Sequence, residues 1–262
     1  MKELAIAIRN YDRDHFKTII DCIKKAGFKN VFIEWYNYDY ELQENILKNV
    51  KENDLNVIFA HLGYQNANAI WLEDESGDRE LERYMNDIDI CKSNGIDLVI
   101  IHPTRKYDDP GITDIGLERI KKLVKHGEEK HVKIAFENVE LEKYLPAIHD
   151  VMDSNMLGIC FDVGHCHLFF DGKFDTQKYK NSVFAIHLHD NFKENDDHNL
   201  PFDGTVDWER AMEQLKELNF DSYVTIESGK NDYYNQLSYQ EYYDLAYERG
   251  MELLRKIYED FN

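Results

Sequence analysis

Residues 133–162 read KIAFENVELEKYLPAIHDVMDSNMLGICFD, and the fold follows from how this stretch divides. An apolar run closes on Glu137, a segment of helical pattern covers 141–154, and a second apolar run closes on Asp162. Strand, crossover helix and parallel strand form the βαβ unit, whose strands are near-continuously apolar because both faces are covered. A carboxylate ending such a strand is costly unless something pairs with it. Here two consecutive strands end that way.

The pattern repeats outward in both directions. FAH ends at His61, VIIH at His102, FAIH at His187 and VTIE at Glu227, which with Glu137 and Asp162 makes six polar strand ends. Strands are predicted at 3–9, 30–36, 56–62, 98–103, 133–138, 157–162, 183–190 and 223–228. Helices are predicted at 14–26, 41–53, 78–94, 113–131, 141–154, 207–219 and 236–259, with a weak one near 175–181. Gly27 and Gly95 stand where C-terminal caps prefer glycine. Asp207 precedes WERAMEQLKEL with Arg210 rather than Glu at the capping-box position, which leaves that box half formed. Eight βα units in 262 residues, four prolines and no Ser/Gly-rich linker predict an α/β fold, a single (β/α)8 TIM barrel over residues 1–262. The six polar strand ends then gather at one mouth of that barrel. Long connections at 63–77 and 191–206 fall on the same face, where barrel sites are built.

Composition narrows the function. Lys plus Arg number 31 against 51 Asp plus Glu, a net charge of −20 that opposes attraction to nucleic acid and to anionic membranes. Cys22, Cys91, Cys160 and Cys166 show no CxxC spacing and read as reduced, buried thiols of a cytoplasmic protein. The apolar run in MKELAIAIRN is too short for a signal-peptide core or a membrane span and reads as a first strand.

Oxygen and nitrogen donors without thiolates suit Zn, Mn, Co, Fe or Mg. Glu137, Asp162, His187 and Glu227 come from the last four strands and would converge from one arc of the barrel mouth. Three carboxylates and one imidazole leave coordination positions open for substrate, as catalytic sites do. A carboxylate paired with Lys or Arg is the structural alternative for any one of them, but explains all four poorly. His165, Asp196 and His198 form a second set beside His61 and His102. His189 is expected to point away from His187 and to pack, while Asp190 is expected beneath the site or against substrate. Glu34 and Lys193 are further candidate substrate contacts, and Trp35, Tyr36 and Phe169 offer an apolar wall for a sugar. His15, His126, His131, His149 and His167 fall off the pattern.

The segments AHLG (60–63), IIHP (100–103), FENVE (136–140), CFDVGH (160–165), IHLHDN (186–191), DDHNLPFDGTVDW (196–208) and TIES (225–228) together resemble the xylose isomerase-like TIM-barrel superfamily of sugar-phosphate isomerases and epimerases, which also contains the endonuclease IV family. The resemblance implies metal ligation by Glu137, Asp162, His187 and Glu227, proton exchange by Glu137 and Glu227, and a substrate contact from His165. For endonuclease-type members it implies three metals on His61, His102, Glu137, Asp162, His165, His187, Asp196, His198 and Glu227.

These readings lead to a metal-dependent isomerase or epimerase of a small sugar, ketose or polyol-derived carbonyl compound, working through an enolate. One divalent ion is expected, and the larger ligand set would hold up to three. The alternatives are an endonuclease IV-like phosphodiesterase acting on abasic DNA, a keto-inositol-type dehydratase, and a non-catalytic ligand-binding barrel. The expected partner is a small carbohydrate, with neither nucleic acid nor membrane, and a homo-oligomer is compatible. No Gly-rich phosphate cradle follows the last two strands.

Overall fold

All eight predicted strands form, and they form one parallel sheet. The computed structural model describes residues 3–9, 15–35, 39–105, 109–218, 220 and 222–258. The strands are β1 (Leu4–Ile8), β2 (Asn30–Glu34), β3 (Asn56–His61), β4 (Leu98–Ile101), β5 (Lys133–Glu137), β6 (Leu157–Asp162), β7 (Val183–His187) and β8 (Val224–Ile226). Each pairs with its sequence neighbour from β1 to β7, and β8 pairs with β1. A parallel bridge from Leu188 to Ile226 joins β7 to β8 and brings the sheet round to a barrel. The helices among the described residues are α1 (Phe16–Ala26), α2 (Tyr40–Glu52), α3 (Glu75–Ser93), α4 (Asp114–Lys130), α5 (Tyr144–His149), α6 (Val163–Phe170), α7 (Trp208–Glu217) and α8 (Tyr239–Tyr258). None is long and apolar enough to cross a membrane. The predicted boundaries at 14, 36, 219 and 259, and the aromatic Tyr36, lie outside the described residues.

Helix six departs from expectation. The segment 175–181 makes only a 3-10 turn, Thr176–Tyr179, and the helix after β6 begins directly at Val163. VGHCHLFF looks like a continuing strand because its β-branched and aromatic residues favour extended backbone. The Asp162 side chain overrides that preference by accepting from the His165 amide at 2.6 Å, capping the helix. The fifth helix is shorter than its pattern, ending before the Asp150–Asn155 stretch, whose Asp, Ser and Asn residues compete with helical hydrogen bonds. At α7 the half-formed box is enough: Asp207 accepts from the Arg210 amide at 3.1 Å.

One layer of residues explains where the site sits. Ala7, Phe32, Phe59, Ile100, Ala135, Cys160 and Ala185 form a buried cluster with no helix contribution, the filling of the barrel. Side chains two apart on a strand share a face. The next inward positions toward the C-terminal mouth are therefore Arg9, Glu34, His61, His102, Glu137, Asp162 and His187, with Glu227 following Thr225. Every strand contributes one polar group to a single ring.

The long β7–α7 connection is built around Asp190, which is fully buried. Its carboxylate accepts from the amides of Asn191 (2.9 Å), Phe202 (3.1 Å) and Val206 (3.0 Å) and from the Trp208 indole (2.7 Å). Gly204 is required there, because a Cβ would sit 2.3 Å from Asp190 Oδ1. The carboxylate is thus committed to the loop, and the expected substrate contact from Asp190 is not what this geometry provides. Asp190→Ala should leave several buried donors unmet and lower unfolding free energy by roughly 3 kcal/mol or more, read by chemical denaturation.

Candidate metal centre and cavity

Glu137 is the hub of the ring. It is fully buried, and its Oε2 lies 3.0 Å from both His61 Nε2 and His102 Nε2. Its Oε1 lies 2.9 Å from His187 Nδ1 and 3.5 Å from His165 Nδ1. His187 Nδ1 in turn faces three carboxylates: Glu137 at 2.9 Å, Glu227 at 3.2 Å and Asp162 at 3.8 Å. Asp162 is placed by Asn138, whose side chain accepts from the Asp162 amide at 2.6 Å and donates to its carbonyl at 2.8 Å. The consecutive Glu-Asn of β5 thus serves one ligand position directly and a second through the backbone.

The donor set fits a divalent cation. Glu137, Asp162 and Glu227 are at most 3% exposed, and no Lys or Arg among the described residues pairs with any of them. Three buried carboxylates without a fixed cation are held at high cost unless a metal or protonated imidazoles compensate them. Asp162 Oδ2, Glu227 Oε2 and His187 Nε2 have no hydrogen-bond partner. The histidine tautomers agree with ligation. A backbone carbonyl only accepts, so His61 Nδ1, 3.1 Å from Leu62 O, and His198 Nδ1, 3.0 Å from Glu227 O, carry the hydrogen. Each ring then presents Nε2 to a carboxylate: His61 to Glu137, and His198 to Asp196 at 3.0 Å. A proton or a cation belongs between them, and a carbonyl-locked Nδ1 is how proteins orient metal-binding imidazoles.

Among the described residues, three groups of donors converge closely enough to hold an ion. They are Glu137, Asp162, His187 and Glu227; His61, Glu137 and His187; and His165, His189, Asp196 and His198. His189 in the last group corrects the packing role expected of it. Its Nε2 lies 3.1 Å from Asp162 Oδ1, because residues two apart in an extended chain point the same way. Gly164 makes room for that ring, since a Cβ there would come within 2.0 Å of it. His198 is held at φ 50°, a conformation uncommon for a side-chain-bearing residue, which turns its ring back toward the site.

Charges in the ring reinforce one another. Burial pushes the Glu137 carboxyl up, but the imidazoles of His187 and His102 outweigh it and hold it well below the usual range. Glu227 is also held low, with burial overcome by His187. His187 is pushed well up, burial being outweighed by Cys160, Glu227 and Glu137.

A cavity of about 130 Å³ opens onto this ring, lined by His61, His102, His165, Asp196, His198 and Glu227. Arg9, Glu34, Trp35, Tyr64 and Gln65 line it as well. Trp35 is pinned from behind by Asp87, 3.1 Å from its indole nitrogen, and Phe169 lies 5.5 Å from the His165 ring. Tyr64 stacks on His102 with ring centres 4.3 Å apart. Lys193 is not on this cavity; it pairs with Asp171 beside α6 and lines a separate pocket with Arg210. Sequence reasoning passed over Arg9 and Tyr64. Arg9 was detectable as the residue closing the first strand in phase with the others, whereas Tyr64 sits in a loop with no periodicity to place it.

Asp162 carries two roles that substitution separates. Asn keeps a capping oxygen, so Asp162→Asn should lose metal while holding α6. Asp162→Ala should lose metal and a further ~1 kcal/mol of stability. Elemental analysis and denaturation of the two metal-free variants check this.

A model of the xylose isomerase-like TIM barrel matches residues 20–257. An inosose isomerase of Bacillus licheniformis is 27% identical over 204 residues, covering 71% of this chain and 73% of that protein. Two other curated relatives, both uncharacterized, are spanned over only 60% and 44% of their length, less than two thirds. Among solved structures, the IolI protein with a bound zinc atom superposes with a TM-score of 0.76 at 19% identity, over 98% of this chain and 100% of that one. D-psicose 3-epimerase from Clostridium cellulolyticum H10 with D-tagatose gives 0.76 at 12% identity, over 97% and 99%.

Proposed function

The chain belongs to the xylose isomerase-like TIM-barrel family, and from that premise we propose that it is a divalent-metal-dependent isomerase or epimerase of a small sugar, ketose or polyol-derived carbonyl compound. One observation carries the reading. Three buried carboxylates with no Lys or Arg partner among the described residues converge on His187 Nδ1, and one of them, Glu227, lines an open cavity. Glu137, Asp162, His187 and Glu227 would hold the ion. When bound, it would polarise the carbonyl and neighbouring hydroxyl of the substrate and acidify the adjacent C–H.

The chain's own groups supply the rest. Glu227 lines the cavity and its carboxyl is held ionised, so it is placed to take the proton. Glu137, buried beneath, is the second carboxylate; ionised at rest, it would have to take up a proton from one of the imidazoles it faces before returning one at the neighbouring carbon or the other face. His165 and His198 line the same cavity and would orient substrate hydroxyls. Trp35 and Tyr64 supply flat surface for carbon-bound hydrogens. A small isomerase-named relative and a sugar-bound epimerase structure support the same class.

A second reading is favoured by the donor groups beyond the first four. His165, His189, Asp196 and His198 would hold another ion, and His61 and His102 meet on Glu137, so a multi-ion phosphodiesterase has its ligands present. The net charge of −20 weighs against a nucleic-acid substrate. Ion count by elemental analysis, with C–H exchange in D2O across a panel of ketoses, separates the readings. Bound metal with exchange supports the isomerase. Three ions with cleavage of abasic DNA, lost in Glu137→Gln, would replace it with the nuclease. Neither metal nor exchange would leave a ligand-binding barrel.

A further inference from the structure

Among the described residues Arg9 is the only Lys or Arg lining the cavity, and it does not stand alone there. Its Nε lies 2.5 Å from Glu34 Oε1, with the two side chains 8% and 18% exposed. The pair closes β1 and β2, across the barrel from the β5 and β6 ends that carry Glu137 and Asp162. Tyr64 belongs to the same wall: burial, then the Glu34 carboxylate, raise its hydroxyl's pKa, so it remains a neutral donor and acceptor.

We propose that Arg9 and Glu34 form the subsite for the far end of the substrate, and that they select an uncharged polyhydroxylated end over a phosphate or carboxylate. This rests on the sugar-enzyme reading and sharpens its substrate class. A guanidinium only donates and a carboxylate only accepts, so together they satisfy both halves of a hydroxyl's hydrogen bonding. Neighbouring hydroxyls on a carbon chain meet that pair well: one oxygen accepts from Arg9 while the next O–H donates to Glu34. A phosphate has no hydrogen to give Glu34 once ionised, and it would meet that carboxylate's charge in a partly dry cavity. Specificity of this kind comes from the group that repels as much as from the one that attracts.

The test is calorimetric binding to the metal-loaded protein, with D-fructose and D-fructose 6-phosphate as probes. Wild type should bind D-fructose at least about tenfold more tightly than the phosphate ester, the factor expected for one unpaired charged contact. Glu34→Gln, which keeps shape and removes the charge, should shift that ratio toward the ester by about tenfold or more. Arg9→Met should weaken both probes without creating a preference for the ester. Thermal melting confirms that each variant is folded, and a Glu34→Gln, Arg9→Met double variant should lose the ester binding that the single Gln variant gains. A wild type that prefers the ester overturns the proposal. So does an unmoved ratio in folded Glu34→Gln, and in that case sugar binding itself leaves the isomerase reading intact. A wild type that binds neither probe and exchanges no ketose C–H overturns the sugar-enzyme reading, and this proposal with it.

Discussion

Glu227→Gln should reduce C–H exchange by about 10²–10⁴-fold, the range a positioned general base contributes. Gln keeps the shape of the side chain and removes its basicity, and it also removes one of the three carboxylates facing His187 Nδ1. Glu137→Gln should cost at least as much, because that residue touches four imidazoles as well as taking part in proton transfer. Metal occupancy separates the two contributions. Rates corrected for bound ion should still fall steeply in Glu227→Gln, since the lost proton acceptor is not restored by saturating metal. A variant that regains wild-type exchange once loaded would show that Glu227 only binds the ion, and the proton-transfer role would fall.

Removing the metal should invert the pH dependence of stability. In the chelated protein the imidazoles are the only cations among the described residues that pair with Glu137, Asp162 and Glu227. His187 and His165 are held well above their ordinary 6.5, and His61 and His189 are raised, burial being outweighed in each by neighbouring carboxylates. A raised histidine stabilises fully below 6.5 and loses that contribution as pH rises through its folded value. Glu137 and Glu227 are depressed from 4.5, so their contribution is present above 4.5 and lost as pH falls through their folded values. His102 is lowered by burial and works against its four neighbours. The chelated protein should therefore melt highest between pH 4.5 and 6.5 and decline toward alkaline pH. Ligation needs unprotonated imidazole, so the increment in melting temperature on adding Zn or Mn should grow with pH over that decline. Melting curves with and without chelator from pH 5 to 9 check both slopes. Coincident curves would mean that no ion binds at the ring, and parallel but offset curves that its binding displaces no imidazole proton.

Much of this was legible in the chain because the period of a strand is two. Once KIAFE and LGICFD were set as parallel strands, the polar residue ending each was fixed on the inner face, and six such residues had to meet. The same rule, followed to its end, places Arg9 as the first strand's member of the ring and puts His189 on the side of His187 rather than opposite. The helix after β6 was not legible. Its apolar sequence favours extended backbone, and only the capping by Asp162 turns VGHCHLFF into helix.

What the sequence determined by itself is the barrel, its eight apolar strands and the identity of the carboxylates and imidazoles at their ends. Local periodicity sets these, and periodicity is written in adjacent residues. Tertiary structure decided the rest: that Glu137 is the hub, that Asp190 serves its loop, that Lys193 faces another pocket, and that Arg9 meets Glu34. Each of those depends on contacts between residues far apart in the chain, or on which lone pairs a fold has already used, and neither is encoded in any local pattern.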